Sequence, residues 1–367
     1  MRRLALALSS VLWIWICGCE LLSDPKFEIG VRQEIEVLRQ DGTTVGQIVP
    51  GGELRANPAD TRPPFWTLRH NCSKSFLDPA GAFDLGGAVA FANAQKRFEL
   101  PGANASHFAL AINSRNEIVG PIPGPTATRD QLTFACTRNA NRGIKNPELN
   151  VSQRTTPVPM GAQRRPPIDA FASLAGLQAL RLSIEHSLVF YQRTSAFQAT
   201  ACQLVVSVSV QNLNRDSQDF GNGLVLNVLL EDDRYGGGVG PQLAQFDEDL
   251  ILQENGDPAR PILILASNAL TRTVRSRPRK PQVAQDLFWK RTEVDLFPHA
   301  LRLFDLVKAR EATLPAMDRR FDQTTLADLY PGSVVIAWES PGLCVVAADF
   351  NTEPGSEVKL VAVNRQQ

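Results

Sequence analysis

A chain of 367 residues, 43% hydrophobic and 21% charged, has the composition of an ordinary globular protein, long enough for two domains or one large β domain. Its 38 Lys and Arg match its 38 Asp and Glu. That balance gives no electrostatic case for nucleic acid as a partner, and the lack of a fixed repeat argues against a propeller or solenoid.

The chain opens with Arg2 and Arg3, runs through the almost wholly apolar Leu4–Ile16 and closes on Cys17, Gly18 and Cys19. A cationic start, an apolar run of about 7–15 residues and small residues before a cut define a secretory signal. The run is shorter than the roughly 20 residues that cross a bilayer. Ile16-Cys17-Gly18-Cys19 resembles a bacterial lipobox: an aliphatic residue three before, and a small residue just before, an invariant cysteine. The resemblance implies a signal peptide over 1–18, cleavage after Gly18 and a thioether-linked diacylglycerol on Cys19, with palmitate-type acyl chains. Two such chains suffice for stable anchoring, since each buried methylene contributes about 0.8 kcal/mol. The expected location is the cell envelope, lipid-anchored to a bacterial membrane. The alternative is ordinary cleavage and a soluble periplasmic or secreted protein.

Outside that segment stand Cys72, Cys136, Cys202 and Cys344, an even number for an oxidising compartment. Of the three possible connectivities, Cys72–Cys136 and Cys202–Cys344 keep each disulfide inside one half of the chain. The alternative is buried free thiols.

Residues 19–26 read as a tether and 27–149 as an N-terminal β-rich domain. Phe27, Ile29 and Val31, then Ile35 and Val37, alternate with polar residues at the period of a half-buried strand. Asp41-Gly42 is a hairpin turn signal, Val45–Val49 the returning strand, and Pro50-Gly51-Gly52 a break. Phe108–Ile112 and Glu117–Val119 read as a hairpin. Leu132, Phe134 and Cys136 share a strand face. Arg138 to Pro167 carries Asn, Arg, Thr, Gln and Pro and few large apolar residues, and residues 150–167 within it mark a linker or crossing segment. Asp169 is placed to cap a short helix ending near Leu177.

The C-terminal domain, 168–367, has the clearest pattern. Leu180, Leu182, Ile184, His186, Leu188 and Phe190 share one strand face; Cys202, Leu204, Val206, Val208 and Val210 share another; Leu224, Leu226, Val228 and Leu230 form a third run. Short apolar runs recur at 250–252, 261–266, 333–338, 343–347 and 358–363. Only His299–Ala312 has helical spacing. The fold class that follows is mainly β: an antiparallel β-sandwich, jelly-roll-like, in two β-rich domains with few helices.

Nucleophile elbows, metal-protease motifs, Cys-x-x-Cys pairs, phosphate loops and EF-hands are absent from the sequence. Three constellations remain. Glu231, Asp232 and Asp233 end one strand, and Asp247, Glu248 and Asp249 begin another. If those strands pair, their carboxylates gather at one sheet end, where they could hold Ca²⁺ or supply Asp233 and Asp247 as an acid and base for glycoside hydrolysis. The plainer reading is charges solvating strand ends. Tyr235, in a glycine-rich loop, is the aromatic best placed to stack on a sugar. Arg272, Arg275 and Arg277, with Arg279 and Lys280, form a basic loop suited to an anionic partner or to solvent. His186, on an apolar face, reads as a hydrogen-bonded core residue. Together these features point to a non-catalytic envelope protein that binds a polysaccharide or another protein. The alternatives are a secreted glycan-acting hydrolase and a structural assembly component.

Overall fold

The computed structural model describes residues 18–25, 29–38, 44–55, 57–70, 83–85, 88–92, 108–114, 131–137, 148–154, 173–193, 203–232, 248–251, 261–265, 271–276, 288–339, 344–351 and 355–365. In chain order the strands are β1 (Gly18–Glu20), β2 (Val31–Leu38), β3 (Thr44–Leu54), β4 (Trp66–His70), β5 (Phe83–Leu85), β6 (Ala88–Ala92), β7 (Phe108–Ser114), β8 (Gln131–Thr137) and β9 (Glu148–Arg154). Then come β10 (Leu177–Arg193), β11 (Gln203–Asn212), β12 (Gly223–Asp232), β13 (Glu248–Ile251), β14 (Ile262–Leu265), β15 (Thr271–Ser276) and β16 (Phe288–Asp295). The helix α1 (Phe297–Glu311) follows, and β17 (Leu329–Glu339), β18 (Cys344–Asn351) and β19 (Lys359–Asn364) complete the order.

The protein is mostly β and its pairing is predominantly antiparallel, as the alternating runs require. A ten-stranded sheet runs β1-β19-β10-β18-β8-β7-β6-β5, with β16 also on β10 and β15 beyond it; a nine-stranded sheet runs β13-β14-β12-β11-β17-β9-β4-β2-β3. The two parallel pairs among the described residues are β12–β14 and β2–β4. Leu180, Leu182, Ile184 and Leu360 of the first sheet and Leu204, Val206, Val208, Leu226, Val228 and Ile336 of the second share one buried cluster. The sheets are therefore the two layers of a sandwich. Each strand contributes every second residue to the interior because side chains alternate across a strand.

Helix α1 forms where the 3.6-residue spacing placed it. Ala300, Leu303, Phe304, Val307 and Glu311 are buried along one side. Pro298 occupies its first turn, where a missing N–H costs nothing. At the other end Lys308 Nζ donates to the carbonyls of Phe321 (2.7 Å) and Asp322 (3.0 Å), and the Glu311 carboxylate accepts from Arg320 N and Phe321 N. The loop 312–328 is fastened to the helix by these bonds.

Several expectations change. Residues 19–26 are not a free tether: β1 pairs with β19, Leu21 N donates to Leu360 O at 2.8 Å, and Leu21 and Leu22 are buried. Their two leucines carry enough apolar surface to bind the sandwich interior. Residues 148–154, at the edge of the expected linker 150–167, form β9 between β4 and β17. Strands from both sides of that segment lie in both sheets, so it does not divide one sheet from another. Pro50 does not end its strand; β3 continues to Leu54 with a register shift near Pro50, which an edge strand tolerates. β7 pairs with β6 and β8, while residues 117–119 lie outside the described residues. A 3₁₀ turn spans Leu174–Gly176; Asp169 also lies outside.

Gly30 shows how tightly the N-terminal part is fitted. Its φ is +107°, and a Cβ there would lie 2.1 Å from Leu54 O. Only glycine meets both demands.

Candidate functional site

Two places in the sandwich carry polar chemistry. The first is interior. β10 and β16 pair so that His186 lies opposite Lys290. Glu231 of β12 reaches them from the other sheet. His186 Nε2 is 2.9 Å from Glu231 Oε1, and Lys290 Nζ is 2.6 Å from the same oxygen. The side chain of His186 is 0% exposed, that of Glu231 5% and that of Lys290 22%. Burial pushes the Glu231 carboxyl up, but the hydrogen bond and charge of His186 and the charge of Lys290 outweigh it, so it is held below the usual carboxylate range. An ionised carboxylate only accepts, so His186 Nε2 carries the hydrogen. His186 Nδ1 and Glu231 Oε2 have no hydrogen-bond partner among the described residues. One strand position along, Glu185 is bonded to Arg291. The arrangement ties the two sheets by charge. Among the described residues no three His, Cys, Asp or Glu converge as a metal site.

The second place is the outer face of the nine-stranded sheet. Along β11, Ser207, Ser209 and Gln211 alternate with the buried Val206, Val208 and Val210. Register sets Ser209 between Val225 and Ser333, and Ser207 between Asn227 and Val335. Ser209 Oγ and Ser333 Oγ are 2.7 Å apart. A shallow groove of about 160 Å³ runs over these residues, lined by Ser207, Ser209, Gln211, Val225, Ser333 and Val335. Gly332 shapes its floor: a Cβ there would come within 3.0 Å of Ser209 Oγ and the Gln211 side chain. Further along the same face Val205, Leu229 and Ala337 are buried together. The groove thus grades from hydroxyl and amide groups to apolar ones, with no formal charge among its lining residues.

The residues singled out in the sequence fare differently. Asp233, Asp247, Tyr235, Arg277, Cys72 and Cys202 lie outside the described residues. The two acidic strand ends are not hydrogen-bonded neighbours, because β14 lies between β12 and β13. Of that acidic set Glu231 alone has a described side chain, and it is turned inward. Arg272 and Arg275 are not in a loop: they belong to β15, opposite Arg291 and Trp289. Cys136 lies opposite Val346 in β8–β18, two positions from Cys344. Such a diagonal corresponds to about 7–8 Å, longer than the roughly 4.4–6.8 Å between Cα atoms of a disulfide. Cys19 lies opposite Ala362. His186 is the core histidine its strand face implied. Ser207, Ser209 and Ser333 were visible only as the polar half of two alternating strands. Nothing in the sequence announced that β17 would lie beside β11 and bring Ser333 to Ser209.

No family model and no curated protein matches the sequence. Among solved structures, the catalytic domain of Humicola grisea Cel12A, in complex with a soaked thio cellotetraose, is 15% identical, with 78% of this chain and 99% of that chain covered and a TM-score of 0.31. The endoglucanase Cel12A of Rhodothermus marinus is 14% identical over 79% of this chain and 100% of its own, TM-score 0.30. A family 12 xyloglucanase from Bacillus licheniformis in complex with ligand is 9% identical over 80% and 99%, TM-score 0.33. Likenesses of this size carry neither a common topology nor a shared activity.

Proposed function

We propose that this chain is exported, anchored to a bacterial membrane by a lipid on Cys19, and acts as a non-catalytic binding protein of the cell envelope whose ligand is a polysaccharide. The groove over Ser207, Ser209, Gln211 and Ser333 carries the binding half of the reading. Uncharged hydroxyl and amide groups can each donate and accept, which suits a hydroxyl-rich polymer better than an anionic or cationic one. The adjoining Val225 and Val335 offer apolar surface to the C–H faces of sugar rings. The export half rests on Leu4–Ile16 and Gly18-Cys19. A hydrolytic reading gains no support from Glu231, because its hydrogen bonds to His186 and Lys290 hold it inside the sandwich.

Two measurements test the proposal. The intact mass of protein extracted from membranes should correspond to a chain starting at Cys19 plus a diacylglycerol; retention of Met1 without acylation removes the anchor. Ser207→Leu combined with Ser333→Leu should reduce retention on purified cell-wall polysaccharide at least tenfold while leaving the urea midpoint in place. Equal retention of the variant, or none by the native protein, removes the polysaccharide.

A further inference from the structure

The groove over Ser207 and Ser209 is the middle of a longer row. Opposite residues of paired strands share a face, so register carries the row of Ser207 across the sheet. Asn227 of β12 and Val335 of β17 lie opposite Ser207, Ser152 of β9 lies opposite Val335, and Thr67 of β4 opposite Ser152. All five are on the outer face, because residues flanking them along their strands, such as Val206, Val228, Val334 and Leu68, are in the core. All five are half-buried and none carries a formal charge. The next place in the row is the exposed Arg32 of β2, while Arg154 takes the place opposite Ser333, in the neighbouring row. Five strands at a spacing of about 4.8 Å extend the uncharged row over about 19 Å.

The path along the strands is shorter. On β11 the outward places are Ser207, Ser209 and Gln211; Val205 before them is 1% exposed, and the strand ends at Asn212. Three outward places span about 13 Å. Val205, Leu229 and Ala337, buried together, bound the groove on one side, and Tyr330, opposite Gln211, stands on the other. A bulge sets the width between. Leu329 is in the core, and plain alternation would turn Ser333 the same way; but Ser209 pairs with Ser333 and Val210 with Pro331, so Gly332 is an extra residue that turns Ser333 outward. The ends of the row are marked too. Asn227 Oδ1 is buried with no hydrogen-bond partner among the described residues, an acceptor that gains when a donor reaches it. At the β4 end Phe65, beside the inward Trp66 and two residues before Thr67, is 49% exposed, a ring surface on which the C–H face of a sugar can stack.

We infer that the polysaccharide crosses the strands instead of following them, over β12, β11, β17, β9 and β4, so that the site takes a run of several neutral sugars ending on Phe65; this rests on the polysaccharide reading above. A short fragment occupies only the groove of about 160 Å³. A longer chain adds Ser152, Thr67 and the Phe65 ring. The Ser and Thr hydroxyls each donate and accept, and no step along this row sets the chain against a formal charge. Affinity therefore climbs with chain length until the row is filled and then levels off.

Hydroxyl-radical footprinting of the native protein tests this. The probes are the neutral polysaccharide fraction of the cell wall and fragments released from it by partial hydrolysis, graded from disaccharide to octasaccharide. With each fragment at saturation, oxidation of Phe65 is followed by peptide mass spectrometry, and Met317, 85% exposed on the loop after α1, is the internal reference. Octasaccharide should slow Phe65 oxidation at least threefold and disaccharide should not, while Met317 reacts alike with both. Phe65→Ala combined with Thr67→Leu should lower octasaccharide affinity at least fivefold, leave disaccharide affinity within twofold and keep the urea midpoint. Ser207→Leu combined with Ser333→Leu should lower both affinities. An octasaccharide that binds yet leaves Phe65 as reactive as in the free protein overturns the crossing path alone. Absence of binding by the polysaccharide and by every fragment overturns the polysaccharide and the path together.

Discussion

Replacing Glu231 with glutamine isolates the charge that holds the two sheets together. The side chain keeps its shape and one acceptor oxygen, but it no longer offers an anion to His186 and Lys290. A hydrogen bond to a charged group contributes about 1.5–3 kcal/mol and a neutral one about 1 kcal/mol. Two bonds are weakened, at 2.9 and 2.6 Å. Lys290, 22% exposed, recovers part of the loss by turning to water, whereas His186, 0% exposed, cannot. The expected net destabilisation is about 2–3 kcal/mol, below the roughly 3–5 kcal/mol for a fully sealed pair. Urea unfolding at neutral pH, read from the fluorescence of the buried Trp66 and Trp289, gives the number. The pH dependence gives the cause. The folded state holds the Glu231 carboxyl below its ordinary value. Its contribution is therefore present above the unfolded carboxyl pKa of about 4.3 and lost as pH falls through the folded value. The gap between native and Glu231→Gln proteins should close over that fall. A triple variant with Glu231→Leu, His186→Leu and Lys290→Met should cost less than Glu231→Gln alone, because no charge or polar ring is left stranded. A Glu231→Gln protein within about 0.5 kcal/mol of native at pH 7, a range ordinary for surface substitutions, would refute the role given to this carboxylate.

Gly30→Ala should cost about 2 kcal/mol or more, since strain at a left-handed φ adds to a Cβ that meets the Leu54 carbonyl. Gly221→Ala, at φ +86° with nothing within 4 Å, should cost about 1 kcal/mol, from backbone strain alone; equal urea midpoints for the two would remove the close approach as the cause. Burial raises the Glu20 carboxyl above its ordinary value despite the N–H groups of Leu22 and Leu360 that it accepts. Its contribution is therefore fully present below the unfolded carboxyl pKa and lost as pH rises through the folded one. Glu20→Gln should raise the thermal midpoint at pH 7 and not at pH 3, checked by calorimetry. Burial lowers the His299 imidazole against the opposing charge of Asp295. Stability from that site is present above the unfolded pKa of about 6.5 and is lost as pH falls through the folded value, so His299→Phe should flatten the native pH profile across that interval.

The alternating runs were legible because burial on one face forces a period of two. Leu180 to Ile184, Leu204 to Val210 and Leu224 to Leu230 each form the strand their pattern required. Helix α1 was legible for the same reason at its own period. Pairing was not legible, because alternation says which face is buried and nothing about which strand lies alongside. The acidic strand ends gather only if their strands pair, and β14 from further along the chain separates them. The arginine run reads as a loop because charge marks solvent, yet Thr271, Thr273 and Val274 are strand formers within β15. Residues 19–26 read as a tether because the segment is short and precedes the first long alternating run. Leu21 and Leu22 are the signal that it is not, and two leucines close to the apolar run Leu4–Ile16 are easily counted with that run.

The placement of those leucines bears on when the fold can close. Glu20 Oε1 accepts from Leu360 N, 340 residues away. Among the described residues β1 pairs with β19 alone, and β10 pairs with both β18 and β19. β17 must insert between β9 and β11, which are separated by the whole of β10. Each central pairing thus waits for strands made last. Loop closure over such separations makes the topology slow to form. A chain of this design stays open until its final strands emerge, and an open chain is what an export channel can thread. The same late closure seats Leu21 and Leu22, so on the lipid-anchor reading proposed above the segment next to Cys19 would be open to processing before the sandwich forms. Deleting β19 should therefore leave export and acylation intact while abolishing the folded state. Fractionation with intact mass measures the first, and protease resistance the second. Loss of export in that variant would mean that processing depends on a fold this pairing order says is not yet there.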